Sequence, residues 1–451
     1  MPPRVLVIGL DCAAPRFVFG PDAFDLPNLR ALMERGCCGP LESCHPPITV
    51  PAWACMTTGR DPGELGCYGF RNRVDRSYNE MVTANGSSIR EPRVWDDLSR
   101  HGKQCIVLGV PQTYPPKPLN GFLVSGIDTP DVTVDYTYPK SLKREIERAC
   151  GEYIPDVRDF RTDDKSSLLA RIYALMENRF AVARYLMKAR PWDFFMMVEM
   201  GVDRLHHGFW KYCDPSHPKH VPGNPFEHAF RDFYSAVDTQ IGQLLAVAGE
   251  NVTTIVVSDH GAKAMRGGLR INQWLIDNGY LWLKGPVAPG TRLEDCAIDW
   301  ANTRAWSSGG YYARIFLNVI DREPEGCIPQ SDYENLRDEI AAGIRSIAGQ
   351  NDGPIHNIVL KPEEVYRKVT GIAPDLIVYP DDLNWRAIGT VGHDSIYADE
   401  NDTGPDDANH DYNGIFICGD RSIARPHTIF EMASLLPSTM GIAVTSTASV
   451  I

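Results

Sequence analysis

Short apolar runs alternate with amphipathic helical patterns along most of this chain. The runs have the length and composition of buried strands, at 4–10, 104–110, 192–200, 251–261 and 413–420. Helical patterns are found at 26–36, 164–189, 225–248 and 332–348. Asp164 is a good N-cap for the longest helix, and Pro191 ends it. This alternation predicts an α/β fold with a doubly wound, mostly parallel central sheet and helices on both faces.

The chain is expected to form one domain over 1–451. Between about 265 and 400 the pattern is less regular, with Pro, Gly and Asp-rich turns around a single clear helix. We interpret this stretch as an embellishment inserted into the core fold. The strand pattern returns at 413–420, so the end of the chain is predicted to rejoin the main sheet.

Composition narrows the functional classes. The net charge of −13 and the lack of a Lys/Arg cluster disfavour a nucleic-acid polymer as partner. No run approaches the roughly 20 apolar residues that span a bilayer, and the first apolar run is too short for a signal peptide. Twelve cysteines without a C-x-x-C pair indicate reduced thiols rather than a disulfide framework, so we expect a cytoplasmic protein.

Acidic and histidine side chains stand where ligands bind in parallel sheets, just beyond strand ends. The residues concerned are Asp11, Asp203, His207, Asp259, His260 and His410. Any one aspartate in such a place has the plainer explanation of a helix cap. Asp203 and His207 are four residues apart, so one helical turn would place both on one face. Together the six suit a dinuclear site for Zn²⁺, or for Mn²⁺ or Fe, of the kind used in phosphoryl transfer.

Five motifs, in order, carry a resemblance to a known family. They are VIGLD, PPITVPAWACMTTGRDPGELGCYGF, DRLHH, SDHG and NHDYNG, and they span residues 5 to about 420. This order resembles the alkaline phosphatase superfamily and, within it, the type I phosphodiesterase/nucleotide pyrophosphatase branch. Taken alone, the segment around Thr49 would indicate only a strand end or a tight loop.

The resemblance implies a nucleophile and two metal sites. Thr49 would attack phosphorus, form a covalent phosphothreonine, and also bind one zinc ion together with Asp11, Asp259 and His260. The second zinc ion would be held by the remaining residues, Asp203, His207 and His410. His393 is a weaker alternative to His410, and His206 is expected to lie outside the ligand set.

The residues that would contact substrate are less well marked. The branch has an Asn about twenty residues after the nucleophile, where this chain has Phe70, so Asn72 takes that role only if the loop is shifted by two residues. Arg71 and Lys263 are further candidates for contact with the phosphoryl oxygens. Solvated turn and loop residues are the alternative for all three.

The resemblance implies a phosphohydrolase that cleaves phosphodiester or phosphoanhydride bonds in a small phosphorylated substrate, possibly a nucleotide. A phosphotransferase, mutase or phosphomonoesterase could use the same site, and a protein that only binds a phosphorylated ligand is the non-enzyme alternative. Sulfatases of the superfamily use C-x-P-x-R, but this chain has Ile48 in place of the Arg after Cys44 and Pro46, which disfavours that activity. The oligomeric state has no signature in the sequence.

Overall fold

The computed structural model describes residues 4–78, 80–350 and 353–443. The strands of the first half are β1 Arg4–Leu10, β2 Cys37–Glu42, β3 Arg71–Arg73, β4 Met81–Thr83, β5 Cys105–Leu108, β6 Gly121–Val124, β7 Thr137–Tyr138, β8 Phe194–Glu199 and β9 Val252–Val257. Those that follow are β10 Gly261–Ala264, β11 Gly267–Arg270, β12 Thr291–Arg292, β13 Ala305–Ser308, β14 Ala313–Leu317, β15 Ile358–Leu360, β16 Leu376–Tyr379, β17 Trp385–Ile388, β18 Thr390–Val391, β19 Tyr397–Ala398, β20 Ala408–Asp411 and β21 Asn413–Cys418.

The helices lie mainly between the strands of the central sheet. They are α1 Pro15–Val18, α2 Pro27–Arg35, α3 Thr49–Thr58, α4 Pro62–Leu65, α5 Val94–Arg100, α6 Leu142–Cys150, α7 Lys165–Ala189, α8 Gly201–Cys213, α9 Ala229–Ala248, α10 Ile271–Asp277, α11 Tyr333–Arg345, α12 Pro362–Val365 and α13 Met432–Thr439. Short 3₁₀ helices occur at Leu293–Asp295, Gln330–Asp332, Pro380–Leu383 and Ile429–Glu431.

Eight of the described strands form the central sheet, in the order β2-β21-β9-β1-β8-β5-β6-β7. The five strands from β9 to β6 are parallel, and the remaining three pair antiparallel with their neighbours. β1 lies at the centre, with Val5 opposite Phe194 of β8 and Thr253 of β9. Its residues from Val5 onward are buried, because both faces of the sheet are covered. This burial explains the uninterrupted apolar runs of the sequence.

Helices cover both faces of this sheet. One group consists of α2, α7, α8 and α9, which contact one another, and another consists of α3, α5 and α13. α7 begins where the sequence predicts, because the Asp164 carboxylate accepts a hydrogen bond from the Ser167 N–H at 3.0 Å. The predicted α/β class, with a mostly parallel doubly wound sheet, is confirmed.

The stretch predicted as an embellishment builds a second sheet with its own apolar core. Its strands are ordered β13-β14-β16-β15 and pair antiparallel. Helices α10 and α11 contribute to this core, which includes Leu275, Ile315, Leu317, Ile340 and Val378. Strand β10, just before this stretch, pairs antiparallel with β20, just after it. None of the described helices is long and apolar enough to cross a membrane.

Gly9 lets a tryptophan pack directly on the central strand. A Cβ atom at Gly9 would lie 2.4 Å from Cη2 of Trp53 in α3 and 2.9 Å from Cγ2 of Val198 in β8. Both distances are shorter than van der Waals contact, so the strand and the indole touch only because this residue has no side chain. Helix α3 therefore lies as close to β1 as the backbone allows.

We expect Gly9→Ala to destabilise the fold by about 1–3 kcal/mol, because the added methyl group overpacks a filled core. Urea unfolding followed by far-UV circular dichroism measures the loss. Gly285→Ala is the matched control, since a Cβ atom there meets no atom within 4 Å. Equal stability of the two variants would contradict the close packing of α3 on β1.

Candidate functional site

Three neighbouring parallel strands end beside one another and deliver the acidic side chains. Asp11 directly follows β1, and its N–H donates to the carbonyl oxygen of Glu199 at the end of β8, 3.0 Å away. Asp259 and His260 follow β9 and precede β10. Because β9, β1 and β8 are adjacent and parallel, the residues after them meet at one edge of the sheet.

Helix α8 and strand β20 supply the other predicted ligands. Asp203 and His207 are one turn apart in α8, as predicted, with His207 Nε2 3.3 Å from Asp203 Oδ1. His410 lies on β20, which pairs with β10 and so stands beside the end of β9. The His410 Nε2 atom is 3.2 Å from His207 Nε2, and its ring stacks on His260 with centroids 4.1 Å apart.

Thr49 is the first residue of helix α3 and is not part of a loop. Its Oγ1 atom lies 3.3 Å from Asp11 Oδ1 and 3.2 Å from His260 Nε2. Pro51 has no N–H group, and the first hydrogen bond of the helix runs from the Ala52 N–H to the Ile48 carbonyl oxygen. The N–H groups of the first two residues thus precede that bond, where a helix start favours negative charge. The structure brings together all seven residues of the predicted ligand and nucleophile set.

Asn72 has intramolecular partners for both ends of its amide. Its Oδ1 atom accepts from the Tyr68 N–H at 2.7 Å, and its Nδ2 group donates to the Gly69 carbonyl oxygen at 2.9 Å. The side chain thus shapes the turn that leads into β3. Arg71 is exposed at the beginning of that strand.

Lys263 is held by neighbours near the end of β20. Its Nζ group donates to the Asp382 carbonyl oxygen at 2.9 Å and lies 3.3 Å from an Asp411 carboxylate oxygen. Of the other histidines considered, His393 bonds to the N–H of Gly290 in a separate loop, and His206 packs among aromatic rings of the core. Neither joins the cluster.

Each clustered histidine is oriented by a hydrogen bond at its Nδ1 atom. His207 Nδ1 lies 2.7 Å from Oδ1 of Asp406, His260 Nδ1 lies 3.0 Å from the carbonyl oxygen of the residue that follows it, and His410 Nδ1 lies 3.0 Å from the Pro47 carbonyl oxygen. Such bonds fix the tautomer and leave Nε2 as the lone-pair donor. All three Nε2 atoms face the acidic cluster.

Asp406 is a functional residue that sequence reasoning missed. It is buried, and besides His207 it contacts the Arg161 guanidinium at 2.9 Å and the Tyr311 hydroxyl at 3.0 Å. Tyr311 comes from the loop between β13 and β14, and its ring centroid is 4.5 Å from that of His410. The second sheet thus touches the site directly. Only the position of Asp406 four residues before His410 could have drawn attention to it.

Trp53 is buried in the core and also makes a polar contact with the site. Its Nε1–H group donates to Asp11 Oδ2 at 2.6 Å. Trp53 lies four residues after Thr49 in α3, so both side chains share one helix face.

The carboxylates are buried together with too little positive charge nearby. Burial, followed by the charge of Asp203, raises the pKa of Asp11 well above its usual range, and burial followed by Asp11 does the same to the pKa of Asp259. Burial also opposes ionisation of Asp203, but His207 and Arg204 outweigh it and hold the Asp203 pKa well below its usual range. The cluster can stay fully ionised only if further cations enter it.

The donor atoms fit divalent cations. Two groups have ligand atoms within 4.8 Å of one another: one of Cys12, Asp203, His207 and His410, the other of Asp11, Asp203 and His260. Buried Oδ1 of Asp203 and Oδ2 of Asp259 make no hydrogen bond within the described residues. Burial raises the pKa of the Cys12 thiol, which favours its neutral form. Carboxylate oxygens and imidazole Nε2 nitrogens are the donors expected around Zn²⁺, Mn²⁺ or Fe²⁺.

We expect Asp406→Asn to weaken metal binding about 10–100-fold, because the amide orients His207 less well and does not raise its basicity. Dialysis against graded concentrations of a competing chelator, followed by elemental analysis, measures the change. Asp407→Asn is the control, since the Asp407 carboxylate contacts Lys211 at 3.3 Å and not the histidine ring. Equal metal retention in both variants would remove Asp406 from the site.

The chain resembles known proteins both in sequence and in fold. The sequence model of the type I phosphodiesterase / nucleotide pyrophosphatase family matches residues 5–407. Phosphonoacetate hydrolase from Sinorhizobium meliloti 1021, solved with phosphonoformate, superposes with a TM-score of 0.62 at 18% identity, covering 98% of this chain and 96% of that chain. No curated protein sequence matches the chain significantly.

Two further solved structures share the fold. Human ectonucleotide pyrophosphatase / phosphodiesterase 5 superposes with a TM-score of 0.57 at 13% identity. An inactive variant of the murine protein, in complex with AMP, superposes with a TM-score of 0.56 at 14% identity. Each alignment covers 98% of this chain and 96% of the other. Because the family match spans most of the chain, the predicted resemblance is confirmed: this chain belongs to the type I phosphodiesterase / nucleotide pyrophosphatase family of the alkaline phosphatase superfamily and is a phosphoric ester hydrolase.

Proposed function

We propose that this enzyme cleaves phosphodiester or phosphoanhydride bonds of a small phosphorylated substrate, such as a nucleotide, through a covalent intermediate on Thr49. The observation that carries the proposal is the position of Thr49 Oγ1, at a helix start and within 3.3 Å of both a carboxylate and an imidazole nitrogen of the ligand cluster. A hydroxyl so placed is oriented for attack and surrounded by groups that can hold a cation against it.

Two divalent ions, most simply Zn²⁺, complete the proposed site. Asp11, Asp259, His260 and Thr49 would hold one, and Asp203, His207 and His410 the other. Bound there, the ions would lower the pKa of the Thr49 hydroxyl and neutralise charge on the phosphoryl oxygens. The support is the buried Asp/His donor set with carboxylate oxygens that lack hydrogen bonds within the described residues.

The proposed reaction has two displacements at phosphorus. Thr49 Oγ1 loses its proton and forms a bond to phosphorus while the bond to the leaving oxygen breaks. A helix start such as that of α3 favours the negative charge that would develop on the phosphoryl oxygens. In the second displacement, water forms a bond to phosphorus while the bond from phosphorus to Thr49 Oγ1 breaks. A proton from the water goes to Thr49 Oγ1 and restores the hydroxyl, and the phosphate product leaves.

Other parts of the surroundings support catalysis without touching the reacting atoms. Trp53 holds Asp11 through its indole N–H, and Asp406 holds His207.

We further propose that the enzyme works in the cytoplasm. All twelve cysteines are unpaired in the structure, which is in keeping with a reducing compartment.

We expect Thr49→Ala to lower kcat on bis-p-nitrophenyl phosphate by about 10³-fold or more, because no nucleophile remains. Release of p-nitrophenol measures the rate. Thr58→Ala is the control from the same helix, since its hydroxyl donates to the Ala54 carbonyl oxygen at 2.7 Å and accepts from the Arg60 N–H at 3.3 Å, away from the ligand cluster. Full activity of Thr49→Ala would contradict the covalent mechanism. If an alcohol is added to the assay, formation of the phosphorylated alcohol would indicate transfer in place of hydrolysis.

We expect chelator treatment to abolish this activity and stoichiometric Zn²⁺ or Mn²⁺ to restore it, because the buried carboxylates need cations to stay ionised in this geometry. Elemental analysis of the protein purified without chelator should give two metal equivalents per chain. Turnover that resists chelation, with less than one equivalent bound, would contradict the two-ion site.

A further inference from the structure

A cavity lies between the β3–β4 hairpin and the core of the second sheet, and neither Thr49 nor any of the predicted metal ligands lines it. Its volume is about 230 Å³. The side chains and backbone that matter to the argument are those of Arg71, Arg73, Trp300, Trp306, Ser308 and Arg386. None of them was assigned by the proposed mechanism, although Arg71 was a candidate for substrate contact.

Buried guanidinium groups face this cavity with donors left over. Arg73 is 6% exposed and Arg386 is 4% exposed, yet the Nε and one terminal nitrogen of each make no hydrogen bond within the described residues. The nearest carboxylates stand beyond hydrogen-bond length: Glu323 is 3.7 Å from Arg73, and Asp406 and Asp402 are 3.6 and 3.7 Å from Arg386. A buried donor without a partner costs about 1–3 kcal/mol. An oxyanion in the cavity would remove that cost.

A third buried arginine adds to the excess of positive charge. Arg314 is 7% exposed and donates to the Arg71 carbonyl oxygen and, at 3.1 Å, to the Ser308 hydroxyl oxygen. Both partners are neutral, and among the described residues no carboxylate pairs with it. On the acidic side, Glu294 is already paired with Arg292 at 2.8 Å. The cavity lining itself holds four arginines, Arg71, Arg73, Arg292 and Arg386, against two carboxylates, Glu294 and Asp402, so it favours an anion although the chain as a whole is acidic.

Aromatic side chains, among them Trp300, Trp306 and Phe316, form part of the cavity wall. Arg73 lies over the rings of Trp306 and Phe316, 5.2 and 4.9 Å from their centroids, and Tyr78 stacks on Trp300 with centroids 3.6 Å apart. Planar ligands pack well on such surfaces. The volume is below the range of about 300–1,000 Å³ typical of drug-sized ligands, so a single ring with one charged group is the fitting size.

We propose that this cavity is a binding site for a small aromatic oxyanion, a carboxylate, phosphonate or phosphate on one planar ring, held by Arg73 and Arg386 against the Trp306 wall. The site connects to the metal-ligand cluster through its own wall. Gly310 lines the cavity and the next residue, Tyr311, contacts two clustered histidines. The ligand is either part of a substrate or a separate effector, and both sources share this chemistry.

Binding to the full chain is tested by tryptophan fluorescence and equilibrium dialysis with phenylphosphonate and benzoate. Inorganic phosphate omits the ring, and benzyl alcohol omits the charge. We expect at least tenfold tighter binding of the two aromatic anions than of either partial probe. This binding should persist in chelator, which separates it from any binding at a metal centre and makes the result independent of the proposed hydrolysis. Equal affinity for all four probes, or loss of binding in chelator, would overturn the proposal.

Variants locate the binding. Arg73→Met should weaken it at least tenfold, whereas Arg76→Met should not, since Arg76 also faces Glu323, at 3.4 Å, but lies outside this cavity. Ser308→Asp should also abolish binding, because it places a carboxylate in the lining of the cavity, and it serves if Arg73→Met does not fold. Unchanged affinity in the folded variants would overturn the assignment. With an active preparation, a rise in KM on adding benzoate indicates a substrate subsite and a change in kcat alone indicates an effector.

Discussion

The burial of three carboxylates side by side is the constraint on which this structure depends. Asp11 and Asp259 follow adjacent strands, and Asp203 stands at the start of the helix after the next strand, so the topology of the sheet forces three acids into one buried volume. Their charges cannot coexist there without compensation. The imidazole rings, Arg204 and the expected cations all follow from that requirement.

Orientation is achieved by hydrogen bonds that come from distant parts of the chain. Asp406 holds His207, and Trp53 holds Asp11, while the second sheet contributes Tyr311 against the same rings. Both sheets are therefore needed to define one arrangement of donors. Such support is what separates a collection of suitable residues from a site whose atoms are held in place.

The sequence predicted the parts of the fold that local physics dictates. Central strands such as β1 and β8 are buried on both faces and so read as apolar runs, and the Asp203/His207 spacing correctly predicts a helical turn. The helix at Thr49 was not evident, because Val50 and Pro51 suggest extended structure. Proline is tolerated in a first helical turn, where its missing N–H has no acceptor. Asp406 and Tyr311 carry no local signal, since their partners are about 100 to 250 residues away along the chain.

The pairing of β10 with β20 has a consequence for how the enzyme is made. His410 and strand β21, which lies between β2 and β9 in the central sheet, are among the last parts of the described chain. Until this segment has been synthesised, the nascent chain lacks one of the clustered histidines and the strand that pairs with β2 and β9. A chain truncated before β20 would therefore lack both His410 and the strand that joins β2 to β9.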